Sequence, residues 1–250
     1  ILALMLTTLK RAGATAIQLE LGHVGIFRAL AQQAHLDAEQ EQGLFAALQR
    51  KAEPEIAARV QALALPTALQ TAFAALPELS GGPEVLLQAR QYLAVGGAAA
   101  LAAIDTLQQI HTYLTLHDPE VTLTFDLAEL RGYHYHTGAT YAAFAPGFAV
   151  ELARGGRYDA VGQSFGAARP ATGFSTDLHT LLKLRPLQPT PGAIYAPAST
   201  DLALWQVVAQ LRQQGQRVLS ALAEDGDPKQ LGCNQYLCQD TAGTWVIQPL

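Results

Sequence analysis

Apolar positions define the first elements. Residues 1–12 are dense in leucine and alanine and end on Lys10, Arg11 and Gly13, which predicts a helix closed by glycine. The period then shortens to two. Ile17, Leu19 and Leu21 alternate with Gln18 and Glu20, the pattern of a half-buried strand. Gly22 to Gly25 are read as a turn into a short helix around Phe27 and Leu30. From Leu36 to about His117 the pattern becomes helical throughout. Asp37 followed by Gln40 has capping-box spacing and opens a helix through Leu44, Leu48 and Lys51. Pro54, Pro66 and Pro83 each stand where a first helical turn could begin. Leu101, Ile104, Leu107, Ile110 and Leu114 form one apolar stripe at helical spacing. No fixed-period repeat runs through this stretch, which argues against a solenoid.

Strand patterns return at 121–127, 140–144 and 148–153, with Pro146-Gly147 turning the last two into a hairpin. Gly155-Gly156 are read as a tight bend, and Gly173-Phe174 as the lead into a helix near 177–184. The stretch RPLQPTPG at 185–192 holds three prolines and is the best linker. Beyond it, 193–196, 202–211 and 217–222 read as strand, helix and strand, and 236–239 with 244–247 as a hairpin around Ala242-Gly243. The expected organisation is a core at 1–35 and 119–184, a helical insertion at 36–118, and a small C-terminal α/β domain at 193–250.

Composition narrows the classes. Half of the 250 residues are apolar and 15% are charged, far from the signature of disorder and enough for a sizeable core. A net charge of −5 gives no overall basic footprint for nucleic acid or an anionic membrane, although a local patch is compatible with it. No apolar run approaches the roughly 20 residues of a bilayer span. The opening ILALMLTTLKRAG has its charges at the wrong end for a signal peptide, and Ile1 stands inside a helical pattern, so further sequence is expected upstream. Cys233 and Cys238 lack CxxC spacing and a second ligand pair for zinc, and read as free thiols in a reducing cytoplasm.

Two stretches concentrate unusual side chains. ELRGYHYHTG, 129–138, places Arg131, Tyr133, His134, Tyr135 and His136 together. On a strand the two tyrosines would share one face and the two histidines the other. An arginine fork suits a carboxylate or phosphate, and a tyrosine hydroxyl can read a ring nitrogen. A metal site is disfavoured, because no carboxylate or thiol at ligand spacing joins the histidines. Taken alone, an edge strand with amphipathic side chains explains this segment better. The second stretch begins ARGGRYD at 153–159, where Gly155 and Gly156 would let a ligand approach the backbone and Arg157 would orient it. An ordinary glycine turn explains it equally well.

Together and in this order the two stretches resemble one family. RGYHYHTG is similar to the RG-x-[DH]-Y-[YH]-T-G histidine-recognition motif of histidyl-tRNA synthetases, and GGRYD followed by a GF-x-x-x-L helix resembles the approach to their third class II motif. The resemblance covers nearly the whole chain. It implies an α+β fold: a mixed or antiparallel class II synthetase-like sheet flanked by helices, with a helical insertion and a small C-terminal α/β domain.

The departures select a branch. The synthetase motif ends in a GLERL-like helix whose arginine holds ATP phosphate, and here Thr180 of DLHTL takes that place. A neutral hydroxyl cannot replace a fixed guanidinium against a triphosphate, and losing such a clamp costs on the order of 10²-fold in rate. About 60 residues follow the linker, short for the family's anticodon-binding domain. With ARPATGFSTDL, these losses resemble the regulatory subunits of ATP phosphoribosyltransferase. That resemblance implies no catalytic residues and no cofactor, but a homodimeric base and a hetero-octamer with short-form catalytic subunits. It also implies histidine as an allosteric ligand in histidine biosynthesis, no tRNA partner and a cytoplasmic location. By position, Arg131 and Tyr135 would contact histidine, with His136 where synthetases carry a second tyrosine and with Gly156 and Arg157 on the pocket wall. Two alternatives stay open: a fragment of a true synthetase, and a stand-alone amino-acid-binding module with another partner.

Overall fold

The computed structural model describes residues 1–185, 192–222 and 227–250, at 164 and 165 the backbone alone. The proline-rich linker lies outside the described residues, except for Arg185 and Gly192. Two compact units result, Ile1–Pro186 and Leu187–Leu250.

The first unit opens with helix α1 (Leu2–Ala12), which Gly13 closes at φ 109° in the left-handed region. Strand β1 (Gln18–His23) runs straight into α2 (Val24–Gln33) without the expected glycine turn. His23 makes this possible, because its Nδ1 accepts from Gly25 N at 3.0 Å and caps the helix. Helix α3 (Ala38–Gln49) carries the Asp37–Gln40 capping box in both directions. Helices α4 (Glu53–Ala62) and α5 (Thr67–Ala75) follow, then a two-residue strand β2 (Ser80–Gly81), α6 (Glu84–Tyr92) and the long α7 (Gly97–His117). Pro54 lies in the first turn of α4, while Pro66 and Pro83 stand one residue before α5 and α6. The chain then returns to strands as β3 (Thr122–Asp126), β4 (Ala139–Phe144), β5 (Ala153–Arg157) and β6 (Thr172–Thr176), and ends in α8 (Leu178–Leu182).

The strands form one mixed sheet in the order β2-β3-β1-β4-β5-β6. β1 and β3 are parallel and the other neighbours antiparallel. Leu19 and Leu21 are fully buried on the face covered by α2 and α7, in a core that also takes in Leu44, Leu48 and Phe73 of the helices between 36 and 118. That helical segment therefore shares its core with the sheet and adds β2 to its edge. Two sequence expectations need correction here. The second hairpin strand starts at Ala153, not Phe148, and Gly155-Gly156 are strand residues rather than a bend. They are glycines because a Cβ on Gly155 would lie 2.1 Å from Gly173 O, and one on Gly156 would lie 2.5 Å from the His136 ring.

The second unit is a four-stranded sheet in the order β10-β9-β7-β8, from β7 (Ala193–Ala196), β8 (Val218–Ser220), β9 (Cys233–Gln239) and β10 (Trp245–Pro249). Helix α9 (Leu202–Gln213) covers one face through Leu204 and Val208. Cys233 and Cys238 are free thiols. Among the described residues no single helix is long and apolar enough to cross a membrane. The α+β class, mixed sheet and small C-terminal α/β domain agree with the sequence reading.

Candidate functional site

Alternation along β1 decides where the site lies. Leu19 and Leu21 face the core, so Glu20 and Gly22 face the other side of the sheet. Register extends that face into two rows: Gly22, Thr140, Gly156 and Gly173, then Glu20, Ala142, Arg154 and Ser175. The first row is almost without side chains, and the second carries opposite charges at separated positions. Over them lies a cavity of about 610 Å³, lined by all of these residues except Gly156 and also by Glu129, Arg131, Tyr135, His136, Tyr158 and Gln49.

The cavity's upper wall is the RGYHYHTG segment, a tight turn and not the strand the sequence suggested. Gly132 sits at φ 73°, which lets Tyr135 N and His136 N both donate to Gly132 O, at 2.8 and 2.7 Å. Tyr133 and Tyr135 consequently part company. Tyr133 is buried against Phe27 and Phe45, and its hydroxyl donates to Glu41 at 2.6 Å. Burial, with that carboxylate, raises its pKa far above the usual phenol range. Arg28 of α2 fastens the turn from below by donating to the carbonyls of Tyr133 (3.1 Å) and His136 (3.3 Å). Tyr135 instead is 48% exposed and rests on Tyr158, ring centroids 4.9 Å apart.

Arg131 is held by Glu129 at both ends of that carboxylate: its backbone N donates at 2.6 Å and its Nε at 2.9 Å. Its two terminal nitrogens are left toward Glu20 (3.7 Å) and Glu151 (3.9 Å), ion-pair distances rather than hydrogen bonds. Glu151 also receives Arg154 at 3.1 Å. Burial raises the Glu20 pKa, and Asp126 and Glu129 add to that effect while Arg131 and Lys51 oppose it. Burial lowers the His136 pKa, and a backbone hydrogen bond with Arg131 opposes that effect.

The structure thus brings Arg131, Tyr135 and His136 to one cavity. Gly156 stands behind the His136 ring and makes room for it. Arg157 does not line the cavity; its stem packs on Gly138 and its Nε donates to Asp159 at 2.9 Å. Thr180 lies in the first turn of α8, its backbone N bonded to Asp177 at 2.7 Å, away from the cavity lining. Sequence reasoning missed Glu20, Glu129 and Thr140. The alternation of β1 did place Glu20 opposite the core, and Glu129 is part of the ELRG motif, but neither was given a ligand role. Among the described residues no group of three His, Cys, Asp or Glu is placed to hold a metal ion.

Comparison with known proteins identifies the family and the fold. Residues 1–181 match the family model for histidyl-tRNA synthetase, and 191–248 match that for the ATP phosphoribosyltransferase subunit HisZ C-terminal domain. The chain is 48% identical to an ATP phosphoribosyltransferase regulatory subunit of Thioalkalivibrio sulfidiphilus over 99% of its own length and 63% of the relative's. Its fold is similar to that of an ATP phosphoribosyltransferase regulatory subunit/histidyl-tRNA synthetase from Bacillus halodurans, with TM-score 0.75 and 24% identity over 94% of this chain and 62% of the other. A weaker likeness, TM-score 0.55 at 15% identity over 70% of this chain and 58% of the other, joins it to the ATP phosphoribosyl transferase (HisG:HisZ) complex from Thermotoga maritima.

Proposed function

The chain belongs to the family of ATP phosphoribosyltransferase regulatory subunits, built on a histidyl-tRNA-synthetase-like scaffold, and we propose that it serves as the non-catalytic regulatory subunit of that phosphoribosyltransferase. Its partner is the short-form catalytic subunit, assembled on a homodimer of this chain into a hetero-octamer. The observation that carries this reading is the 48% identity to a relative of that name across 99% of the chain. The chain spans 63% of that relative's length, and the match runs through the C-terminal domain as well as the synthetase-like unit.

The cavity supports the regulatory half of the reading. Arg131 presents two terminal nitrogens to a ligand carboxylate, and Tyr135 and His136 stand beside it for an imidazole. Histidine bound here is the feedback input. Thr180 supplies no charge for a triphosphate, and the carboxylates around Arg131 oppose a second strong anion. No aminoacyl-adenylate is therefore formed. Histidine-dependent pyrophosphate exchange by the intact protein tests this and should stay at background, whereas exchange at synthetase-like rates would restore the synthetase reading.

A further inference from the structure

Helix α3 lays one face along the turn that walls the cavity. Glu41, Phe45 and Gln49 recur every four residues and so stand in one row on that helix. Glu41 accepts the Tyr133 hydroxyl at 2.6 Å across 92 residues of sequence. One helical turn on, the Phe45 ring packs on Tyr133 and His134, with centroids 5.4 and 5.5 Å away. A further turn on, Gln49 lines the cavity itself. The helix is anchored independently of the turn: Leu44, Ala47 and Leu48 are fully buried in the core, and just past its end Lys51 pairs with buried Asp126 of β3 at 2.7 Å. It is a fixed strut that runs from the back of the turn to the cavity.

The turn depends on such support. Its amides at Tyr133, Tyr135 and His136 bond only within the segment, to the carbonyls of Leu130 and Gly132. Arg28 grips two of its carbonyls from α2, which fixes the backbone but leaves the Tyr133 side chain to be aimed. That ring is only 4% exposed, and a bond to a carboxylate is of the strong, charge-assisted kind. Tyr133 and Tyr135 flank His134 in one tight turn, so Tyr133 cannot leave its slot without carrying Tyr135 and His136 along. Beside the bond, between α3 and the turn, lies a second cavity of about 220 Å³, lined by Glu41, Gln42, Tyr133 and His134 among others. Water can therefore reach either partner when the other is removed, and substitutions here loosen the turn without opening a sealed void in the core.

We infer that Glu41 is a positioning residue for the cavity: by holding the Tyr133 hydroxyl it sets the turn, and α3 thereby fixes where Tyr135 and His136 meet a ligand. This rests on the cavity being the histidine site, and two measurements on the intact protein keep the two ideas apart. Hydrogen exchange over residues 131–138 reads the turn, and calorimetry with histidine reads the cavity. Glu41→Ala should speed exchange over that segment and leave β4 and α7 at wild-type rates. It should also weaken histidine binding by about fivefold, since a loosened turn must be ordered on binding. Glu41→Gln keeps an acceptor and should restore most of both. Tyr133→Phe should match Glu41→Ala, and the double variant should bind no worse than the poorer single, because each removes the same bond. If Glu41→Ala does not fold, Tyr133→Phe beside Glu41→Gln decides. Wild-type exchange over 131–138 in the variants, faster exchange spread across the whole unit, or additive losses of affinity would overturn the positioning role. A wild-type protein that binds no histidine would overturn the histidine reading, while faster exchange confined to the turn would still uphold Glu41 as the residue that sets it.

Discussion

The two faces of the six-stranded sheet are made by alternate residues of the same strands, and they follow opposite rules. On the core face Leu19, Leu21, Ala143 and Ala153 are buried among helix side chains, and each gains by excluding water. On the other face Glu20, Gly22, Thr140 and Gly173 leave a cavity, keep a charge partly buried and leave a hydroxyl unpaired. Such a face weakens the fold in isolation. Its residues make sense through what they leave room for, and the comparison separates residues that hold the protein together from those that open a cavity.

Substitutions can break this contrast, and the largest effect is expected on the core face. Leu21→Ala should cost about 2–5 kcal/mol of folding stability, since the side chain is fully buried and its neighbours cannot collapse fully into the space. Denaturant titration checks it, and a cost below about 1 kcal/mol would show that this face is not core.

Acid should act next, at the point where β1 passes into α2. Burial first, and Arg28 second, lower the His23 pKa to about 4. The folded protein therefore holds this ring neutral while the unfolded chain protonates it below about 6.5. Stability is fully present above pH 6.5 and is lost as pH falls toward 4, by up to about 3 kcal/mol. His23→Asn keeps a capping acceptor without the titration and should flatten that part of the stability profile. An unchanged profile would place the acid sensitivity elsewhere.

On the pocket face the costs fall. Gly156→Ala puts a methyl 2.5 Å from the His136 ring and should cost about 1–3 kcal/mol, with histidine binding lost as the ring shifts. Calorimetry beside a thermal melt reads both. Arg131→Ala should change folding least, by under about 1 kcal/mol, because its ion pairs are half exposed. It should still weaken histidine binding by about tenfold and relieve feedback. Loss of folding together with binding would instead make Arg131 a structural brace.

Much of the fold was legible because local pattern and tertiary need agreed. The Ile17-Leu19-Leu21 alternation, the Asp37–Gln40 box and the Gly13 stop each state in a few residues what the whole fold requires of them. The pocket was harder to read. RGYHYHTG alternates like a strand, but Arg28 and Glu41, distant in sequence, fold it into a turn and send Tyr133 inward. Gly155-Gly156 read as a bend because sequence does not show the Tyr141 and His136 rings that fill their missing side-chain space. Arg131 stood out in the sequence, and Glu129, which holds it, lies only two residues away, while Glu20 and Glu151 reach it only once the sheet is assembled.

A regulatory role shows itself when the intact protein is added to a purified short-form catalytic subunit and phosphoribosyl transfer to ATP is measured. A regulatory subunit should raise the rate on mixing, and histidine should suppress the stimulated rate. Unchanged transfer, with no association of the two chains in size exclusion at physiological salt, would contradict it.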